Sequence, residues 1–259
     1  MVKINNKVYH VCLDSSLERR FTELFDLLRD DPQLLCPVRG SIAKRERQFR
    51  QKGFRLFPTV KRTTLLLDEE GLIFIKILHP IRMKEKALFR TGMKYRLLIS
   101  KINSLSRAGI KIPEIKGHGY FKKGWLPFYI FASFKGRSLY DMVIRNSETI
   151  AEETIADVID GIAGLHRKGF YMGDAHLSHI FVRDGRFEGF IDIDGIRRVV
   201  FFRNRSFAKD LGYLNHPRLP FAEDLKMGIF DSYCEKMGID KKERFMRLLK
   251  EYTEKRWKA

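Results

Sequence analysis

Residues 173–195 read GDAHLSHIFVRDGRFEGFIDIDG. Asp184-Gly185 separates two runs rich in β-branched and aromatic residues, and an Asp-Gly pair between such runs is the strongest short signal of a tight hairpin. Antiparallel pairing about that turn brings His179, at the entry of the first strand, close to Asp192, at the exit of the second. Asp174 lies just upstream on a polar loop between rigid elements, where reactive groups are commonly placed; an Asp that merely caps a turn is the competing reading. Asp192 and Asp194, two apart on what reads as extended chain, are expected to share one face. Two such carboxylates repel unless a cation lies near them. Oxygen ligands of this kind suit Mg²⁺, with a phosphate completing the shell, and a solvated pair bridged by Arg197 or Arg198 is the alternative.

Upstream of this stretch, residues 149–168 give the clearest helix. Thr149 and Glu152 suggest a capping box, Ile155, Val158, Ile159, Ile162 and Leu165 form one apolar face, and Gly169 supplies the stop. Farther upstream, RTTLLL and GLIFIKIL joined by DEEG read as a second hairpin. Lys76 in IFIKIL either snorkels at an edge or holds an anion such as a nucleotide phosphate. Residues 15–29 read as an amphipathic helix stopped by Asp31-Pro32, 82–108 as a basic helix ended by Gly109 and Pro113, and LPFYIFASF as a strand. Helix dominates from about 221 to 257. Strands early and helices late imply an α+β protein of two lobes.

The charge narrows the partners. Fifty Lys and Arg against 32 Asp and Glu give a net +18, concentrated in blocks: residues 39–62 hold nine bases and one acid, and 76–101 hold eight bases and Glu85 alone. Such a field attracts nucleic acid, anionic phospholipid or a phosphorylated substrate, unless it is only a solvated basic surface. With no recognition-helix, zinc or RNA-binding signature, nucleic acid ranks lowest. Cys12, Cys36 and Cys234 are scattered, which argues against a zinc site or a disulfide framework and for a reducing compartment. Neither a signal peptide nor an apolar run of about 18 residues is found, so the expected location is cytoplasmic.

Taken in order, these residues resemble the protein-kinase-like superfamily, and within it the lipopolysaccharide core kinases (the Kdo/WaaP and heptose kinase families). LHRKGFYMGDAHLSHIFV is similar to the catalytic-loop pattern L-H-x-x-G-x-x-x-x-D-x-x-x-x-N, with Asp174 at the catalytic Asp. FIDID resembles the strand and metal-binding Asp of D-F-G, eighteen residues on, and Lys76 matches the Lys of V-A-I-K. RAGIKIPEI, FASFKGRSL and AKDLGYL resemble the segment leaving the N-lobe helix, the hinge and the K-D-L segment. The resemblance covers roughly 60–250. It implies a bilobal kinase-like fold: an extension over 1–40 (strand plus helix), a small β-rich N-lobe over 41–133 and a mainly helical C-lobe over 134–259.

The departures carry information too. His179 replaces the usual metal-binding Asn, as in lipopolysaccharide core kinases, and Asp194 replaces the Gly of D-F-G, with Gly195 next. No G-x-G-x-x-G precedes Lys76. Residues 86–113 contain no acid, so Lys94, Tyr95 and Arg96 stand where a Glu partner for Lys76 is expected. The resemblance implies an ATP-dependent kinase acting on a sugar hydroxyl of lipopolysaccharide core, heptose before Kdo. Asp174 would accept the proton, Asp192 hold Mg²⁺ and Lys76 steady the phosphates. His179 would be a second metal ligand, with Asp194 completing the shell, or a hydrogen-bond partner of Asp174. The basic blocks would hold the protein peripherally on the cytoplasmic face of the inner membrane. A protein Ser/Thr kinase, a small-molecule kinase and a nucleotide-binding pseudokinase stay open.

Overall fold

The computed structural model describes residues 1–30, 42–51, 53–58, 62–80 and 83–257. Cys36, the Asp31-Pro32 stop and part of the first basic block lie outside the described residues. The chain divides into two compact units, one of residues 1–103 and 113–133, the other of 104–112 and 134–259.

The first unit opens with a hairpin of β1 (Val2–Asn5) and β2 (Tyr9–Leu13), then α1 (Glu18–Asp30) and α2 (Ile42–Gln51). Strands β3 (Arg55–Pro58), β4 (Arg62–Asp68) and β5 (Ile73–Leu78), helices α3 (Met83–Arg90) and α4 (Met93–Arg107), and strands β6 (Glu114–Phe121) and β7 (Leu126–Ala132) follow. Among the described residues seven strands form one sheet, in the order β1-β2-β6-β7-β5-β4-β3. Alternation decides which face is dry. Ile73, Ile75 and Ile77 of β5 share a core with Phe21, Leu24 and Phe25 on the apolar stripe of α1. Phe21 bridges the layers, its ring 5.4 Å from Tyr9 and 5.6 Å from Phe128. Each such side chain contributes about 1.5–3 kcal/mol by burial.

The expected single helix over 82–108 is two, because the chain breaks at Thr91-Gly92. Gly92 has φ 68°, a left-handed conformation that an L side chain adopts at a cost, and the Trp125 ring lies against its Cα.

The second unit runs β8 (Arg137–Ser138), a π-helical turn (Tyr140–Arg145), α5 (Glu152–Arg167), β9 (Phe170–Tyr171), β10 (Ile180–Arg183), β11 (Arg186–Phe190) and β12 (Arg197–Arg198), then α6 (Arg203–Leu214), α7 (Glu223–Met237) and α8 (Lys242–Trp257). The Asp184-Gly185 hairpin forms as expected, with Arg183 opposite Arg186 and both turn residues at positive φ. The Thr149–Glu152 capping box does not form: α5 starts at Glu152, Ala151 is its cap, and the acids Glu152 and Glu153 occupy its positive end. The helix expected over 221–257 is divided by Gly238 at φ 61°. With its β-rich first unit and largely helical second unit, the protein has the α+β class expected. No helix among the described residues is long and apolar enough to cross a membrane.

Buried protonation sites set a pH window for stability. Burial lowers the His118 imidazole below its ordinary value, and it lifts Tyr95, whose hydroxyl lies 2.9 Å from His118 Nδ1, to about 12. Burial raises Cys234 to about 11. The unfolded chain therefore binds protons at histidine that the folded chain refuses, and stability is lost as pH falls below about 6.5. It also releases thiol and phenol protons that the folded chain keeps, so stability is lost again above about pH 9. Melting temperature against pH is expected to plateau between these limits, and His118→Gln is expected to shallow the acid limb; an acid limb unchanged in that variant would contradict the assignment.

Candidate active site

Beyond α5 the chain passes through β9 into Met172-Gly173-Asp174, and three buried side chains of the second unit fix that turn. The Met172 and Gly173 N–H groups both donate to the Asp210 carboxylate on α6, Gly173 at 3.1 Å. His166, in the last turn of α5, places Nε2 3.2 Å from the same carboxylate and Nδ1 2.6 Å from the Tyr233 hydroxyl on α7. A carboxylate only accepts, so Nε2 carries a proton, and in the neutral ring Nδ1 accepts from Tyr233. Asp210, His166 and Tyr233 are fully buried. Burial, with Asp210 adding to it, pushes the Tyr233 phenol far above its usual value and keeps it a donor. From the other side Lys209 Nζ donates to the Gly173 carbonyl at 2.9 Å. Gly173 has φ 73°, and Arg197 packs beside it where a side chain would stand.

The loop backbone is thus rigidly held, whereas the Asp174 side chain is 67% exposed. Its carboxylate lies 3.4 Å from Arg256 Nη2 in the last turn of α8, a pair contributing about 1 kcal/mol or less at that exposure. His179 closes the loop. Its Nδ1 donates to the Asp174 main-chain carbonyl at 3.2 Å, since a carbonyl oxygen only accepts. The Ile191 N–H in turn donates to the His179 carbonyl at 3.0 Å, so Asp192 follows directly on the residue paired with His179. His176 is the half-buried neighbour, its ring 5.8 Å from His179; burial first, then His179 and Arg256, lower its basicity.

Asp192 and Asp194 do not lie on extended chain. The strand ends at Phe190, and 192–195 form a turn in which the Gly195 N–H donates to the Asp192 carbonyl at 3.0 Å. The shared-face argument therefore fails: Asp192 is buried, at 9% exposure, and Asp194 is half-buried. A Cβ on Gly195 would fall on the Asp192 carboxylate, so only glycine leaves that group where it is. Among the described residues no three His, Cys, Asp or Glu side chains gather into a metal cluster.

Lys76 belongs to the first unit. It lies between Thr64 and Tyr129 on neighbouring strands, 8% exposed, with Nζ 5.9 Å from the centre of the Tyr129 ring. Asp210, Tyr233 and Arg256 have positioning contacts that sequence reasoning did not single out. An acid inside the helical segment AKDLGYL was the available signal for Asp210, and the H of LHRKG was that for His166. Tyr233 and Arg256 carried none.

No protein-family model matches the sequence, and no curated protein matches it. Solved structures do resemble this fold. The bifunctional kinase-methyltransferase WbdD, at medium resolution, is 14% identical over 75% of this chain and 47% of that one, with a TM-score of 0.47. A high-resolution WbdD crystal structure is 16% identical over 77% and 50%, with a TM-score of 0.49. WbdD co-crystallised with the kinase inhibitor LY294002 is 17% identical over 78% and 45%, also with a TM-score of 0.49. The chain spans half or less of the length of these WbdD chains.

Proposed function

We propose that the chain is an ATP-dependent phosphotransferase whose acceptor is a sugar hydroxyl of lipopolysaccharide core. One observation carries the reading: the Asp174 backbone is clamped by the buried Asp210–His166–Tyr233 network while its carboxylate stays open to solvent. A rigid backbone under an accessible carboxylate is what positioning and proton acceptance require. Asp174 orients the acceptor hydroxyl and takes its proton. Lys76, a nearly buried cation on a strand, steadies the nucleotide phosphates. His179 fixes the loop through the Asp174 carbonyl. Asp192 and Asp194 are oxygen donors that fit Mg²⁺ when phosphate and water supply the remaining ligands, and the ion would neutralise phosphate charge. On this reading 41–133 is the nucleotide lobe, 134–259 the acceptor lobe, and the basic blocks favour an anionic membrane surface.

The absence of any acid on α4 favours a second reading, a pseudokinase that binds nucleotide without transfer. The experiment incubates the protein with ATP, Mg²⁺ and dephosphorylated core glycolipid and looks by mass for one added phosphate. Tight nucleotide binding with no transfer to any sugar or protein acceptor would establish the pseudokinase. Gly195→Ala, by displacing the Asp192 carboxylate, is expected to slow transfer about a hundredfold with little change in melting temperature. An undiminished rate would remove Asp192 from the site.

A further inference from the structure

From just before β12 into α6 the chain reads GIRRVVFFRNRSFAK over residues 195–209. Val200, Phe201 and Phe202 are 73%, 77% and 75% exposed, three consecutive large apolar side chains in water. The tip is not a loose segment. The Val199 N–H donates to the Gly169 carbonyl at 2.8 Å on one side, and the Phe202 carbonyl accepts from the Arg205 and Ser206 N–H groups on the other. Phe202 is held at φ 54°, a left-handed conformation that is a strained outlier for an aromatic residue. The fold thus maintains backbone strain at the very place where it keeps apolar surface exposed, a combination that marks function.

From the structure we infer that this tip is a membrane wedge that inserts into an anionic lipid surface. Its chemistry is layered as a bilayer is. Apolar side chains form the centre, and Arg197, Arg198, Arg203 and Arg205 flank it with no acid among residues 195–209. Aromatic and aliphatic groups enter the acyl boundary, while arginines stay at the phosphate level. Arg205 already stacks over the Phe202 ring at 5.5 Å. A protein partner fits less well. Three side chains of at most about 250 Å² each fall short of the roughly 800 Å² per partner that a stable interface buries, whereas insertion needs only apolar burial plus charge attraction.

The wedge also has a place relative to the site. Arg197 and Arg198 pair as β12 with Tyr171 and Phe170, the two residues that immediately precede the Met172-Gly173-Asp174 turn. The lipid surface then adjoins the loop where the acceptor is bound, which deepens the proposed function by fixing how a lipid-linked acceptor arrives. The binding itself requires neither nucleotide nor sugar, so either idea can fail alone.

The test is co-sedimentation of the full chain with vesicles of phosphatidylcholine, alone or mixed with phosphatidylglycerol. The wild type is expected to bind only the mixed vesicles. Val200→Ser/Phe201→Ser/Phe202→Asn, in which Asn suits the left-handed position, is expected to weaken that binding about tenfold or more. Arg198→Gln/Arg205→Gln is expected to release at lower salt. In Phe201→Trp, fluorescence is expected to shift to shorter wavelength with mixed vesicles, beyond any shift from Trp125 and Trp257 in the wild type. That variant decides the matter if the triple variant does not fold. Wild-type binding by the triple variant, absence of the added fluorescence shift in Phe201→Trp, or capture of a protein by the tip with no vesicle binding each overturns the wedge. Loss of vesicle binding with transfer to a water-soluble sugar acceptor retained separates the wedge from the kinase chemistry.

Discussion

On the proposed function, Asp174→Asn is expected to lower phosphate transfer by about 10²–10⁴-fold, the range that loss of a positioned proton acceptor produces, and to leave nucleotide binding and melting temperature close to wild type. The carboxamide keeps the shape and can still accept a hydrogen bond from the acceptor, yet it cannot take the proton at neutral pH. Stability is spared because the Asp174 side chain is two-thirds exposed and loses only its solvent-screened pair with Arg256. Transfer is followed by mass of the acceptor and stability by thermal melting. Equal product from the two proteins would refute the catalytic assignment.

Asp210→Ala has the larger structural effect. It strands the Met172 and Gly173 N–H groups and the His166 Nε2–H in the interior, where each unsatisfied donor costs about 1–3 kcal/mol. With three donors stranded, we expect a loss of about 3 kcal/mol or more in urea unfolding. On the proposed function, phosphate transfer is expected to fall as well, since the clamp on the Asp174 backbone is gone. Tyr233→Phe strands only the His166 Nδ1 acceptor and costs about 1–3 kcal/mol, so the pair grades the network. An Asp210→Ala protein that unfolds at the wild-type midpoint would mean that the clamp contributes nothing.

Elements governed by local chemistry were legible in the sequence. The Asp-Gly hairpin, the DEEG turn and the apolar stripe of α5 each follow from neighbours a few residues apart, and each forms. What escaped depended on distant partners. Nothing near Gly92 announces that the Trp125 ring will pack against it and divide the helix. Asp192-Ile193-Asp194 looks like continuing strand, but the ladder ends at Phe190 and the chain folds into a turn in which Gly195 leaves room for the Asp192 carboxylate. The polar residues of the candidate site stood out as motifs, whereas the network that holds the turn before Asp174 joins α5, α6 and α7 across 44 and 67 residues.

Those separations bear on how the chain is made. During synthesis the segment carrying Asp174 leaves the ribosome well before Asp210, and before Tyr233 by a longer interval. Until those residues emerge, the Met172 and Gly173 amides have only water to bond. The Asp184-Gly185 hairpin closes within microseconds, so the neighbouring strands are in place while the Met172-Gly173-Asp174 loop still samples many shapes. Its final form waits for α6 and α7 to dock, and a nascent chain that stops short of them carries every residue of the motif without the geometry.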